Sequence, residues 1–162
     1  MMWCPFGKIY DIFDGEGLTQ SNHSNSSVHG MEQTIQYAKT DFNGLCFVNL
    51  VDFDMVYGHR NNRKGYAEAA TTFDRQLGTF MERMRDDDIL MITADHGCDP
   101  GFPGTDHTRE HTPFLVYGKS IREDVNLGTR ESFADIAATI LDIFNVENNT
   151  DGTSMKEYIL KK

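Results

Sequence analysis

The sequence of 162 residues has little cysteine, little positive charge and no long hydrophobic stretch. Its cysteines, Cys4, Cys46 and Cys98, are an odd number at wide spacing, which excludes a disulfide framework and a CxxC zinc pattern. We therefore expect a reducing, cytoplasmic setting. No apolar run approaches the roughly 20 residues that cross a bilayer, and the first residues lack the basic and apolar regions of a secretory signal.

Positive charge is scarce, because 15 Lys and Arg residues face 25 Asp and Glu residues, and the formal net charge is −10. Phosphate backbones and anionic lipid surfaces bind clustered Lys and Arg, so we expect neither a nucleic-acid nor a membrane partner. Hydrophobic residues make up 39% of the chain, which is enough apolar surface for a core and excludes a disordered protein. The length suits a single domain, residues 1–162.

Hydrophobic periodicity predicts strands that alternate with helices. The continuous apolar run Leu45–Val51 predicts a buried strand, and Ile89–Thr93 and Phe114–Tyr117 predict two more. Apolar residues at intervals of three and four predict helices over Val28–Lys39, Tyr66–Arg85 and Ser132–Phe144. The face predicted to be buried in the last helix consists of Phe133, Ile136, Ala137, Ile140, Leu141 and Phe144. The alternation predicts an α/β fold with a largely parallel sheet and flanking helices, where ligands bind at the carboxyl ends of strands.

Carboxylates and imidazoles gather in the loops next to these predicted strands. The residues concerned are Asp54, His59, Asp95, His96, His107 and His111. A mixture of Asp oxygens and His nitrogens suits divalent Zn, Mn or Fe, whereas Mg and Ca sites rarely use imidazole. Two such ions about 4 Å apart can hold the attacking and leaving oxygens of a phosphoryl transfer.

Simpler interpretations of the same residues remain open. An Asp-His pair at a strand end is often a helix cap or a hydrogen-bonded loop pair, and His59 alone suits a loop. Asp99 and Asp106 suit turns. The combination of three loops, rather than any one of them, indicates metal binding.

Several motifs together carry a resemblance to a known family. Thr93–Gly97, with the sequence Thr-Ala-Asp-His-Gly, resembles the alkaline phosphatase superfamily. Val51–Arg60 and Asp106–Pro113 resemble, more narrowly, the bacterial phosphopentomutases. Gly7-Lys8-Ile9 near the start and Gly152-Thr153-Ser154 near the end are similar to the same family.

The resemblance implies a two-metal site in the complete enzyme, of which this chain alone would hold one ion or none. By it, Asp54, His59 and His107 would hold one manganese ion. Asp95 and His96 would contribute to a second ion, and Lys8 matches a lysine that faces the substrate. His111 is not a ligand in the family's pattern.

The resemblance also implies an activity for the complete enzyme, the interconversion of ribose 1-phosphate and ribose 5-phosphate, or their deoxyribose counterparts, through a phosphothreonine. Family members are more than twice as long, and this chain matches their C-terminal segment, a partial alkaline-phosphatase-like core without the cap domain. No threonine here matches the nucleophile, so no catalytic residue is assigned. We expect the chain to be inactive alone, and to need an N-terminal segment or to self-associate through an uncovered sheet edge.

Three alternatives remain open. The chain could be a small metal-dependent phosphatase or phosphodiesterase, in which water replaces the missing nucleophile. It could also be a non-catalytic remnant. The third, a relationship to cofactor-independent phosphoglycerate mutase, is disfavoured by the sequence Asp-Met-Val-Tyr-Gly-His of residues Asp54–His59.

Overall fold

The computed structural model describes the backbone of residues 2–6, and residues 9, 10 and 14–162. The chain divides into two compact units, one of residues 1–84 and 94–113 and the other of residues 85–93 and 114–162. That residues 1–162 form one domain stays a prediction. Among the described residues, every helix is too short or too polar to cross a bilayer.

Among its described residues, the first unit contains two strands and two long helices. Strand β1 (Met2–Phe6) pairs in parallel with β2 (Gly44–Val48), and Met2 lies opposite Gly44. Helix α1 (Ser27–Tyr37) lies between these strands in the chain, and helix α2 (Arg63–Met81) follows them. Periodicity predicted both helices and β2, but β2 ends at Val48, three residues before the predicted end, and β1 was not predicted.

Both helices of this unit begin at side-chain caps. The Ser26 hydroxyl accepts a hydrogen bond from the His29 N–H at 3.1 Å, and the Asn62 side chain accepts one from the Gly65 N–H at 2.9 Å. Such caps satisfy backbone donors that a helix leaves unpaired at its first turn. Periodicity places Met31, Ile35 and Ala38 on one side of helix α1; Met31 and Ile35 are buried, whereas Ala38 follows the last helical residue and is half-buried.

The second unit contains β3 (Leu90–Thr93), β4 (Phe114–Tyr117), α3 (Ala134–Ile143) and the short α4 (Lys156–Ile159). Its buried core consists of Ile121, Met155 and Ile159. Strand β3 pairs with β4 antiparallel, so the expectation of a largely parallel sheet is not confirmed. The reason is the connection: residues 94–113 contain no helix that could carry the chain across the sheet, as a parallel pair requires.

Helix α3 buries a polar face that was not predicted, while Ile136 of the predicted face packs against the buried core. Its buried residues are Asp135, Ala138 and Thr139, whereas Phe133 next to its first residue is 53% exposed. Hydrogen bonds explain the difference: the Asp135 carboxylate accepts from the Thr153 N–H at 2.7 Å, and the Thr139 hydroxyl accepts from the Met155 N–H at 2.9 Å. These bonds fix the segment after Gly152 against the polar face, and the predicted tail becomes α4.

Asp135 makes the stability of this unit sensitive to acid. The hydrogen bond from the Thr153 N–H, followed by that from the Arg130 guanidinium, holds the pKa of Asp135 below its usual range. A lowered pKa stabilises the fold above the unfolded value of about 3.9 and loses this effect as the pH falls through the folded value. We expect Asp135→Asn to lower the free energy of unfolding at about pH 6, and the deficit to shrink near about pH 3.

Urea unfolding of both proteins at the two pH values measures this difference. Glu147→Gln, at an exposed position, is the matched control and should match the unaltered chain throughout. A deficit that is equally large at both pH values would contradict the assignment.

Candidate metal centre

Asp54 lies in a π-helical turn, Phe53–Tyr57, that follows β2. Single turns with this wider hydrogen-bond spacing are rare and occur often at functional sites. The Phe53 ring anchors the turn on α2, with edge contacts to Tyr66 at 5.3 Å and Phe73 at 6.3 Å between ring centroids. The Asp54 side chain is 29% exposed and its Oδ1 atom is buried.

His59 lies in a short 3₁₀ turn, Gly58–Arg60, directly after the π-helical turn. Gly58 is buried against Cys98, and a Cβ atom at this position would lie 2.4 Å from the Cys98 sulfur. Asn61, in the left-handed conformation with φ of 51°, ends the turn before α2 begins. His59 therefore lies between the close contact at Gly58 and the left-handed residue Asn61, which fix the backbone on both sides of it.

His96 and His107 come from the irregular segment 94–113, which belongs to the same unit as Asp54 and His59. An isolated antiparallel bridge joins Gly97 to Thr108, the residues that directly follow the two histidines. The imidazole rings stack, with centroids 3.6 Å apart and an angle of 13° between their planes.

Three imidazole rings converge on one atom, Asp54 Oδ1. Nε2 of His59 lies 3.2 Å from it, Nε2 of His107 lies 3.6 Å from it and Nε2 of His96 lies 4.0 Å from it. Asp54, His96 and His107 form a group whose ligand atoms all lie within 4.8 Å of one another. The resemblance assigned Asp54, His59 and His107 to one ion and His96 to another. The structure brings His96 next to Asp54 as well.

The ring nitrogens that face away from Asp54 are fixed by carbonyl groups. His59 Nδ1 contacts the Thr105 carbonyl oxygen, and His96 Nδ1 lies 3.0 Å from the Gly97 carbonyl oxygen. A carbonyl only accepts hydrogen bonds, so in the neutral ring Nδ1 carries the proton. Both Nε2 atoms then present lone pairs toward the carboxylate. Hydrogen bonds of this kind orient histidines that bind metals.

The donor set fits a divalent cation. Asp54 Oδ1 is buried and has no hydrogen-bond partner among the described residues, although three imidazole nitrogens lie within 4.0 Å of it. Lone pairs that face a carboxylate oxygen repel it unless a positive charge lies between them. One carboxylate and two or three imidazoles are the ligand types that Zn and Mn accept.

The other predicted residues lie outside this group. The Asp95 side chain is 83% exposed, with Oδ1 3.6 Å from His96 Nε2. Lys8 lies outside the described residues. His111 is exposed, and His29 Nδ1 accepts the Asn25 N–H at 3.2 Å near the start of α1. Which of these residues bind metal stays a prediction.

Sequence reasoning missed the residues that support the cluster. Burial, followed by the charges of Asp54, Glu110 and Asp99, raises the pKa of the Cys98 thiol. Without a bound ion the thiol is therefore neutral at pH 7, and its sulfur packs against Gly58. Burial, followed by the charges of Cys98 and Asp54, also raises the pKa of the Tyr66 phenol. No sequence motif marked Cys98 or the Thr105 carbonyl.

Comparison with known proteins gives the family. A sequence profile described as the Metalloenzyme superfamily matches residues 7–148. The chain belongs to the metalloenzyme superfamily. This membership and the cluster of Asp54, His96 and His107 indicate that the protein depends on metal.

Curated relatives from this superfamily are closely similar over most of the chain. The chain is 56% identical over 156 residues to a phosphopentomutase of Lachnoclostridium phytofermentans, which covers 96% of this chain and 40% of that protein. It is 60% identical over 141 residues to a phosphopentomutase of Carboxydothermus hydrogenoformans, which covers 87% of this chain and 36% of that protein. The chain thus spans about two fifths of the length of these relatives.

Solved structures show the same fold. A crystal structure of Leishmania mexicana phosphoglycerate mutase, at low cobalt concentration, aligns with a TM-score of 0.71 and 17% identity over 100% of this chain and 38% of that chain. A Pyrococcus horikoshii protein aligns with a TM-score of 0.64 and 18% identity over 93% of this chain and 44% of that chain. At these identities the likeness concerns the fold alone, which is an α/β metalloenzyme core.

Proposed function

We propose that this chain supplies the metal-binding segment of a longer phosphopentomutase, which interconverts ribose 1-phosphate and ribose 5-phosphate and the corresponding deoxyribose phosphates. One observation carries the proposal: the imidazoles around Asp54 lie in a chain that is 56% identical to a phosphopentomutase over 96% of its own length. Identity this high over 156 residues favours retention of the same site.

We infer that the ion is Mn²⁺, held by Asp54, His59 and His107, and that Asp95 and His96 contribute to a second ion. When bound, the ions would supply positive charge that stabilises the oxygens of a phosphoryl group during its transfer. The Asp54 carboxylate supplies the negative charge that offsets a cation. The carbonyls of Thr105 and Gly97 hold two imidazoles with Nε2 toward that carboxylate.

The phosphothreonine of the proposed reaction has no counterpart here, so we assign it to the remaining three fifths of the relatives' length. Apolar surface of the second unit supports this division. Leu115 and Tyr117 on β4 are 60% and 51% exposed, and Phe133 is 53% exposed. Leu115 and Tyr117 are two residues apart and so share one face of β4, and exposed apolar side chains on one strand face favour a covering partner over water. We propose that the remaining segment covers them and completes an alkaline-phosphatase-like core in the cytoplasm.

A fusion protein tests the proposal. The part of the Lachnoclostridium phytofermentans phosphopentomutase that this chain does not match is joined to this chain, which replaces its own matching segment. With Mn²⁺ we expect the fusion to interconvert ribose 1-phosphate and ribose 5-phosphate, and this chain alone to be silent. Replacing His107 by alanine should lower kcat/KM by at least about 100-fold, since even residues that only orient ligands cost 10–100-fold.

The matched control is His23→Ala, because His23 is exposed and lies outside the cluster; it should leave the activity unchanged. A folded fusion that binds Mn²⁺ but leaves both sugar phosphates untouched would overturn the proposal. Release of inorganic phosphate from a generic phosphate ester by this chain alone would replace it with a metal-dependent phosphatase. Silence of both proteins would favour the non-catalytic remnant.

A further inference from the structure

Thr108 links the two segments that carry the stacked histidines. Its hydroxyl accepts a hydrogen bond from the Asp99 N–H at 2.7 Å and donates one to the Glu110 carboxylate. Its own N–H donates to the Gly97 carbonyl at 3.1 Å. One residue therefore ties the segment after His96 to the segment that follows His107, through both its backbone and its side chain.

The register of this link sets the positions of the two rings. His96 and His107 directly precede the bridged residues Gly97 and Thr108, so the bridge places the two imidazoles side by side. The Gly97 carbonyl oxygen accepts from the Thr108 N–H and also from His96 Nδ1 at 3.0 Å. A shift of Thr108 would disturb the ring stack and the carbonyl that fixes the proton on His96.

The link also has little room to adjust. A Cβ atom on Gly97 would lie 2.6 Å from the Thr108 carbonyl oxygen and 2.8 Å from the Glu110 nitrogen. The backbone of Gly97 therefore packs directly against the backbone of residues 108–110. The side-chain hydrogen bonds of Thr108 join the same two segments at this close approach. The Glu110 side chain is exposed, which means that it contributes little to the buried core.

We propose that Thr108 and Glu110 are positioning residues for the metal centre, which hold His107 against His96 without touching the ion. This inference rests on the proposed function only in that a divalent cation binds to Asp54 and His107; it does not depend on the sugar phosphate. The hydroxyl of Thr108 restrains the two segments before the ion binds, so the ion does not have to order them.

The test is Mn²⁺ titration of the full 162-residue chain by calorimetry, with the visible spectrum of bound Co²⁺ as a second reading. Thr108→Val keeps the shape of the side chain but removes both hydroxyl bonds. We expect the affinity for Mn²⁺ to fall by about 10–100-fold, as for other residues that orient ligands. The Co²⁺ spectrum should change, and the midpoint of thermal unfolding without metal should stay close to that of the unaltered chain.

Two further variants separate positioning from loss of structure. Thr108→Ser keeps the hydroxyl and should restore the affinity. Thr71→Val, at an exposed position of α2 where the hydroxyl donates to the Ala67 carbonyl of the same helix, should leave the affinity unchanged. Glu110→Ala removes the acceptor at an exposed position, and should lower the affinity even if Thr108→Val does not fold.

The outcomes are distinct. Unchanged Mn²⁺ affinity in Thr108→Val, or in Glu110→Ala, would overturn the positioning role. So would a Thr108→Ser variant that binds no better than Thr108→Val. An unaltered chain that binds no ion would overturn the metal site and this inference together. A loss of affinity in Thr108→Val beside a fusion protein without mutase activity would overturn the mutase alone.

Discussion

Asp54→Asn should abolish Mn²⁺ binding by this chain and, at the same time, stabilise the metal-free chain. The carboxylate oxygen at the centre of the cluster is buried and takes no hydrogen bond from the part of the chain that the structure describes, which costs about 1–3 kcal/mol when no cation is bound. An asparagine amide donates hydrogen bonds, so its N–H groups can meet the imidazole lone pairs that the carboxylate can only repel. The same replacement removes the negative charge, and we expect Mn²⁺ affinity to fall by at least about 100-fold.

The two effects are measured together by thermal unfolding with and without Mn²⁺. The unaltered chain should gain stability as the ion is added, because a ligand that binds only the folded state raises its stability. Asp54→Asn should unfold at a higher temperature than the unaltered chain without metal and gain nothing from the ion. Asp106→Asn, at an exposed loop carboxylate, is the control and should respond to Mn²⁺ as the unaltered chain does. An Asp54→Asn variant that still gains stability from Mn²⁺ would contradict the assignment.

Gly97→Ala should destabilise the first unit by about 1–3 kcal/mol, in the range of an overpacked core position, and lower the affinity for Mn²⁺. The added methyl group would lie 2.6 Å from the Thr108 carbonyl oxygen, 2.8 Å from the Glu110 nitrogen and 2.9 Å from its carbonyl oxygen. These neighbours are backbone atoms, so the two segments must separate. Because His96 and His107 directly precede the two bridged residues and their rings stack on each other, the ligand atoms should separate too.

Urea unfolding and calorimetric titration measure both effects, and Gly78→Ala is the matched control. Gly78 lies within α2, and a Cβ atom there would meet nothing within 4 Å. Alanine at this position should therefore raise the free energy of unfolding by about 0.5–1 kcal/mol and leave the affinity unchanged. Equal effects of the two replacements would show that the close approach at Gly97 does not hold the site.

The sequence predicted that the Asp and His side chains next to the strands lie close together, and Asp54, His59, His96 and His107 do so. The parallel sheet on which that prediction rested is not the sheet observed between β3 and β4. The predicted parallel sheet would have brought the loops together at one edge. In the structure, His96 and His107 instead lie on the loop between two antiparallel strands, and Asp54 lies on a π-helical turn after β2. The residue types were a sufficient signal, because Asp and His side chains close together in loops suit a divalent ion whichever way the chain reaches them.

Periodicity predicted the helices and β4 well, but it could not predict contacts that backbone atoms make. The hydrophobic residues near the end of β2 at Val48 and in the π-helical turn after it do not repeat every two or 3.6 positions, so periodicity could not locate either feature. The Thr105 and Gly97 carbonyls that orient His59 and His96 could belong to any residue type. The polar face of α3 was missed because its burial depends on hydrogen bonds to Thr153 and Met155, which are distant in sequence.

Diffraction from crystals of this chain grown with Mn²⁺, recorded at the manganese absorption edge, tests the metal centre most directly. We predict an anomalous peak about 2.0–2.4 Å from Asp54 Oδ1 and from Nε2 of His107, with Nε2 of His59 completing the coordination. A well-ordered Asp54 carboxylate with no peak beside it, or a peak only at the exposed carboxylates of Asp86 and Asp87, would contradict the account.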